Sequence, residues 1–194
     1  MVVTQRYAAI AIGVSSGGLA ALDQVLSKLD ADLSIPILIV QHISPDSQNY
    51  LPIHYAGCCS QVIKEAEDKE PIRHGTVYFA PPNYHLMVEC DRSIALSIDP
   101  KVNFSRPSVD ILFETAADAY CSTLVGIVLT GSNSDGAAGL AKIKSHGGLT
   151  VVQSPETAEV DAMPCAAIEA ANPDYILPLN EIGNFLNKLG KEGL

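Results

Sequence analysis

Tyr7-Ala-Ala-Ile-Ala-Ile-Gly-Val-Ser-Ser-Gly-Gly18 runs an apolar strand straight into a glycine-rich turn. The turn holds Gly-x-Ser-x-Gly as Gly13, Ser15 and Gly17, and beyond it Leu19, Leu22, Val25, Leu26 and Leu29 repeat at the three-to-four spacing of a helix. Ser15 is therefore expected between a strand and a helix N-terminus. There, outward-facing amides and the positive end of the helix dipole favour an alkoxide or a bound oxyanion. A nucleophile elbow, an anion-binding loop and a plain tight turn all fit this stretch.

Outward from it, apolar strands alternate with helical patterns. Ile35 to Val40 is a β-branched run of the kind buried on both faces of a sheet, and it ends in Gln41-His42 and the breaker-rich Ser44-Pro45-Asp46. Val62-Ile63-Lys64 and Thr76 to Phe79 predict shorter strands. Residues 85 to 98 predict a hairpin turning at Asp91-Arg92. Ser108 to Tyr120 predicts a helix with Val109, Leu112, Phe113 and Ala116 on one face. Thr123 to Thr130 is another buried strand, emptying into Gly131-Ser132-Asn133-Ser134-Asp135-Gly136 before an Ala-rich helix over 137–145. A strand from Leu149 to Gln153, a helix from about Met163, a strand at Tyr175 and a last helix from about Asn180 complete the series. The alternation predicts an α/β fold: a doubly wound, mostly parallel sheet with an inserted antiparallel hairpin.

The 194 residues suit one domain, large enough to fold without disulfides or structural metal. The five cysteines are odd in number and fall at no metal-ligand spacing, so they read as reduced thiols. No run reaches the ~18 apolar residues that span a bilayer, and the N-terminus lacks a signal peptide's charged and apolar regions, so a cytoplasmic location is expected. A formal net charge of -10 argues against sequence-independent nucleic-acid binding, which needs clustered Lys and Arg to displace counterions.

In such sheets, ligands bind beyond the carboxyl ends of the strands near a topological switch point. Ser15, His42 and Asp135 each follow a predicted strand. Together they have the composition that acyl transfer needs. A serine hydroxyl is a poor nucleophile until an imidazole takes its proton, and the imidazole needs an acceptor on its other nitrogen. Taken singly, His42 reads more readily as a structural histidine and Asp135 more readily as an N-cap for the helix after Gly136; it is their coincidence with Ser15 at strand ends that favours the triad. His146, before Gly147-Gly148, fits the last turn of a helix. His54, His74 and His85 have no partner in the local sequence.

These stretches together carry a resemblance. Ala-Ile-Gly-Val-Ser-Ser-Gly-Gly from Ala11, Gln41-His42-Ile-Ser-Pro, Glu65-Ala-Glu-Asp, Tyr78-Phe-Ala-Pro-Pro-Asn-Tyr-His, Arg106-Pro-Ser-Val-Asp and Leu129-Thr-Gly-x-x-x-Asp-Gly-Ala-Ala-Gly139 are similar to the catalytic domain of the bacterial chemotaxis protein-glutamate methylesterases. The resemblance spans nearly the whole chain with the motifs in order. It implies hydrolysis of γ-glutamyl methyl esters on the cytoplasmic helical bundle of methyl-accepting chemoreceptors, releasing methanol, with deamidation of receptor glutamines in some members. It implies Ser15 as nucleophile, His42 as general base, Asp135 as orienting acid, and backbone amides at Ser16 and Ser132 as oxyanion donors, the latter carried from the family pattern. The implied mechanism needs no cofactor; no metal site and no nucleic-acid partner are expected, and the chain itself is not expected to insert into a membrane.

There are departures from the family. Ser132-Asn133-Ser134 stands where members have Met-Gly-Asn, and Asn133 would strain the loop if that position needs a glycine's positive φ. Met163-Pro164-Cys165 replaces Met-Pro-Arg. Members usually carry an N-terminal receiver domain, and this chain starts almost directly at its first strand, so residues 1–194 are expected to be a single catalytic domain without one. Two other classes remain: a serine esterase acting on another protein or a small ester, and a non-catalytic binding module using the Gly13–Gly18 loop. An unrelated α/β-hydrolase fits less well, because its elbow follows several strands and its acid precedes its histidine.

Overall fold

The computed structural model describes residues 7–44 and 50–191. In chain order the elements are β1 (Ala9–Val14), α1 (Gly18–Leu26), β2 (Ile37–Gln41), α2 (Tyr50–His54), β3 (Val62–Glu65), β4 (Thr76–Phe79), β5 (His85–Val88), β6 (Ile94–Ser97), α3 (Val109–Tyr120), β7 (Leu124–Val128), α4 (Ala137–Ser145), β8 (Leu149–Gln153), α5 (Ala162–Ala171), β9 (Tyr175–Leu177) and α6 (Leu179–Lys191). The expected α/β architecture is present. Seven strands form one sheet in the order β3-β4-β2-β1-β7-β8-β9 with every pairing parallel, and β5 and β6 form a separate antiparallel pair. The short α2 has no counterpart in the sequence reading. Pro45 and Asp46, read there as a break after the second strand, lie outside the described residues.

Side-chain alternation along β1 explains how two helical layers share one sheet. Ile10, Ile12 and Val14 face α1 and α6, packing with Leu22, Val25, Leu26, Ile182, Leu186 and Leu189. Ala9 and Ala11 face the other layer, with Val109, Leu112, Phe113 and Ala116 of α3. The small residues on this second face let α3 lie close to the strand. Gly13 takes this to its limit, because a Cβ there would sit 2.2 Å from Val109 Cγ1. That packing sets the N-terminus of α3 beside the carboxyl ends of β1 and β7.

The chain winds from β1 to β2, out to the edge strand β3 and back to β4 between them, then after the β5–β6 pair crosses to the other side of β1 as β7. The switch point lies between β1 and β7, where such sheets keep their crevices. The segments following β1, β2 and β7 carry Ser15, His42 and Asp135.

Candidate active site

The Ser15 turn is shaped by two glycines. Gly17 has φ +77°, open to glycine at no steric cost, and α1 begins at Gly18. A Cβ on Gly18 would fall 1.9 Å from Gln41 Oε1. This closeness lets the Gln41 amide reach over the turn, where Nε2 donates to the Ser15 carbonyl at 3.0 Å and the His42 carbonyl at 2.9 Å. One buried side chain thus staples the β1 turn to the segment after β2. On the other side the Ser15 amide donates to the Thr130 carbonyl, and the Thr130 hydroxyl donates to the Ser16 carbonyl and accepts from the Val160 amide.

The three expected side chains come together. Ser15 Oγ lies 3.1 Å from His42 Nδ1, and His42 Nε2 lies 2.9 Å from Asp135 Oδ2. The ring nitrogens are exchanged relative to the serine-protease arrangement, in which Nε2 faces the serine. The relay is equivalent: Nε2–H donating to the carboxylate leaves Nδ1 with a free lone pair toward the hydroxyl. Ser15 is half-buried, the His42 side chain is 14% exposed and Asp135 is fully buried.

Asp135 is not the N-cap of α4. Gly136 takes that position with φ +99°, and the Asp135 carboxylate instead receives the open N-terminus of α3. Oδ2 accepts from the Val109 amide at 2.8 Å, and Oδ1 from the Asp110 amide at 3.1 Å and the Ser108 hydroxyl at 2.7 Å. Burial pushes this carboxyl up, but His42 and the α3 donors outweigh it and hold it below the ordinary range. The neighbouring Asp110 behaves oppositely. It accepts from the Gly136 and Gly139 amides and from Asn103 Nδ2, yet burial first and the Asp135 charge next push it up against the pull of those amides.

The segment 131–135 tolerates its unusual sequence. Asn133 is not among the described residues with positive φ, and its Oδ1 accepts from the Asp135 amide at 3.1 Å. Asparagine therefore adds a brace here without strain. Ser16 Oγ donates to Ser132 Oγ at 3.1 Å, drawing the β1 and β7 segments together. Neither the Ser16 nor the Ser132 amide donates to another group among the described residues.

A cavity of about 360 Å³ opens on Ser15, walled by Gly17, Leu19, Gln41, His42, Ile43 and the exposed Glu159. Sequence reasoning did not find Glu159 or Gln41 as site neighbours. His85 is also resolved: buried, with Nε2 on the Pro100 carbonyl and Nδ1 accepting from the Ser108 amide, it braces the residue that supports Asp135. His54 pairs with Asp23 at 3.6 Å, and His146 closes α4 before Gly147. The cysteines are free thiols. Burial and the adjoining Cys59 push the Cys58 thiol up to about 12, which leaves it a poor nucleophile. Among the described residues no group of His, Cys, Asp or Glu is placed to hold a metal ion, and no helix is long and apolar enough to cross a membrane.

Residues 10–186 match the family model described as CheB methylesterase. A Leptospira interrogans protein provisionally named protein-glutamate methylesterase/protein-glutamine glutaminase is 51% identical over 189 residues, covering 97% of this chain and 98% of that protein. A Thermotoga maritima protein of the same name without the qualifier is 34% identical over 183 residues, and the match covers 93% of this chain but 53% of that protein. The crystal structure of the Thermotoga maritima CheB methylesterase catalytic domain superposes with a TM-score of 0.90 at 34% identity, covering 94% of this chain and 98% of that one.

Proposed function

The chain belongs to the CheB methylesterase family, and on that premise we propose that it hydrolyses γ-glutamyl methyl esters of a protein to glutamate and methanol. The protein substrate is the cytoplasmic helical bundle of methyl-accepting chemoreceptors, and the chain acts as a single catalytic domain in the cytoplasm. The observation that carries this reading is the relay from Ser15 Oγ through the His42 ring to the buried Asp135 carboxylate, at 3.1 and 2.9 Å.

The chemistry follows from the geometry. Ser15 Oγ gives its proton to His42 Nδ1 and attacks the ester carbonyl. The resulting imidazolium is held by the Asp135 charge, and the oxyanion lies against the Ser16 and Ser132 amides. Collapse breaks the bond to the methoxy oxygen, and Nδ1–H protonates it as methanol leaves. Water then repeats the cycle on the acyl-serine, losing its proton to the same nitrogen and releasing the glutamate carboxylate. A glutamine side chain would form the same acyl-serine with ammonia leaving. The glutaminase activity in the relatives' names favours this second reaction.

Methanol release from methylated chemoreceptor fragments by wild type and Ser15→Ala tests the reading. Wild type should release methanol and react with a fluorophosphonate, and Ser15→Ala should lose about 10⁴-fold or more in turnover and all labelling. A wild type that labels but leaves receptor esters intact would make it an esterase of another substrate. A wild type that does neither would favour a binding role for the Gly13–Gly18 loop.

A further inference from the structure

A second cavity, of about 140 Å³, adjoins the first and shares its His42–Ile43 wall; Lys101, Phe104 and Arg106 form the other side. Phe104 is 98% exposed, the most solvent-exposed large apolar side chain among the described residues. It sits at the tip of a two-residue turn. Val102 and Ser105 exchange backbone hydrogen bonds at 3.1 and 2.8 Å, and the residues between them, Asn103 and Phe104, have φ of +48° and +64°. Such turns require positive φ at both central positions, a demand that glycine or asparagine meets and a bulky aromatic meets poorly. Nothing in the fold repays a phenylalanine at this place, since its ring packs into no core.

The turn is nevertheless held firmly. Asn103 Nδ2 donates to Asp110 Oδ2 at 2.9 Å, fastening the tip to the network around Asp135. Arg106 spends its guanidinium on the same frame. Nε and Nη2 donate to Asn83 Oδ1, and Nη1 donates to the Ile98 and Asp99 carbonyls at 2.6 and 3.0 Å. Phe104 is thus an unburied ring on a braced support, one residue pair away from the wall of the Ser15 cavity. Beside it, Lys101 has no ion-pair partner among the described residues.

We infer that Phe104 grips the protein part of the substrate, packing against apolar side chains on the helix surface that carries the esterified glutamate. This rests on the proposed protein-esterase function. A helix is about 10 Å across with its side chains, so a helix presenting an ester to Ser15 must also lie over the rim of the crevice. A rigid exposed aromatic at such a rim loses little entropy on docking and supplies the large apolar contact typical of interface hot spots. The ester itself does not need Phe104; the surface around the ester does.

The test compares kcat/KM for methanol release from a methylated chemoreceptor fragment with kcat/KM for p-nitrophenyl acetate, in wild type, Phe104→Ala, Phe104→Gly and Phe104→Trp. The ratio of protein to small-ester turnover should fall about ten-fold or more in the Ala and Gly variants, mainly through KM, and stay within about three-fold in the Trp variant. Glycine accepts the +64° backbone and no packed ring is lost, so Phe104→Gly should melt no lower than wild type. An unaltered ratio, or parallel losses on both esters, would overturn the inference while leaving the esterase intact. A wild type that cleaves p-nitrophenyl acetate but not the receptor ester would overturn the substrate reading, and this inference with it.

Discussion

Replacing Asp135 with Asn tests the relay where it is least replaceable. The carboxylate accepts four hydrogen bonds, from His42 Nε2 and the Val109 amide on Oδ2 and from the Ser108 hydroxyl and the Asp110 amide on Oδ1. An amide of the same shape must therefore turn its NH₂ toward one backbone N–H. Placed on the Oδ2 side, the NH₂ opposes Val109 and donates to Nε2, which drives the ring proton to Nδ1 and blocks transfer from Ser15. Placed on the Oδ1 side, it opposes Asp110; the tautomer survives, but the imidazolium loses its counter-charge. By analogy with serine proteases the loss in kcat is about 10⁴-fold, or ~5.5 kcal/mol at 1.36 kcal/mol per decade. Folding should suffer less. A stranded buried N–H costs about 1–3 kcal/mol and the anion lost from the α3 N-terminus up to ~2, offset in part by no longer burying a charge, for a net of about 2–4 kcal/mol. Because the folded pKa is lowered, the charge stabilises the fold above the unfolded value of about 4, and that contribution is lost as pH falls through the folded pKa. Methanol release and urea unfolding from pH 7 to pH 2 read both effects. A folded variant losing less than about ten-fold in kcat, or a stability gap that does not narrow as pH falls below about 4, would refute the reasoning.

The reciprocal carboxylate gives a contrasting pair. Asp110→Asn keeps an oxygen for the Gly136 and Gly139 amides, and a half-turn of the Asn103 amide restores the third bond, so urea unfolding should find it within about 1 kcal/mol of wild type near pH 4. Its stability should improve relative to wild type as pH rises through the raised folded pKa of Asp110, whereas Asp110→Ala should lose about 2–4 kcal/mol by stranding buried amides. Gly13→Ala drives a methyl group into Val109, whose amide supports Asp135. Thermal unfolding should show a loss of about 1–3 kcal/mol, and methanol release should fall with it.

Residues whose structural reason is local were legible in the sequence. Ile10 to Val14 ends in a glycine turn, Ile37 to Val40 in Gln41-His42, and Leu124 to Val128 in the 129–136 segment, so strand ends and polar residues could be matched without knowing the fold. The Asp135 side chain was ambiguous for the same reason. A sequence can offer an aspartate only to the helix that follows it, here α4, but tertiary packing gives it to α3, which starts 26 residues earlier. His85 lacked a local partner because its partners, Ser108 and Pro100, are supplied by other segments. The five-residue α2 contains Pro52 and is too short to display a helical period.

The exchange between α3 and α4 bears on how the relay keeps its charge. The segment before α4 supplies Asp135 to the amides of α3, and the first turn of α3 supplies Asp110 to the amides of α4. Two buried carboxylates in one network repel, and protonating either relieves that repulsion. Asp135 has the richer donor set, with His42 and the Ser108 hydroxyl added to two amides, and its affinity for a proton falls. Asp110, with two amides and Asn103, keeps a raised one. Of the two carboxylates, Asp110, which does not touch His42, therefore takes up a proton before Asp135 on acidification. The same hydrogen bonds that dock α3 against α4 thus keep the His42 partner ionised, so the position of the acid and its charge are both products of the helix packing.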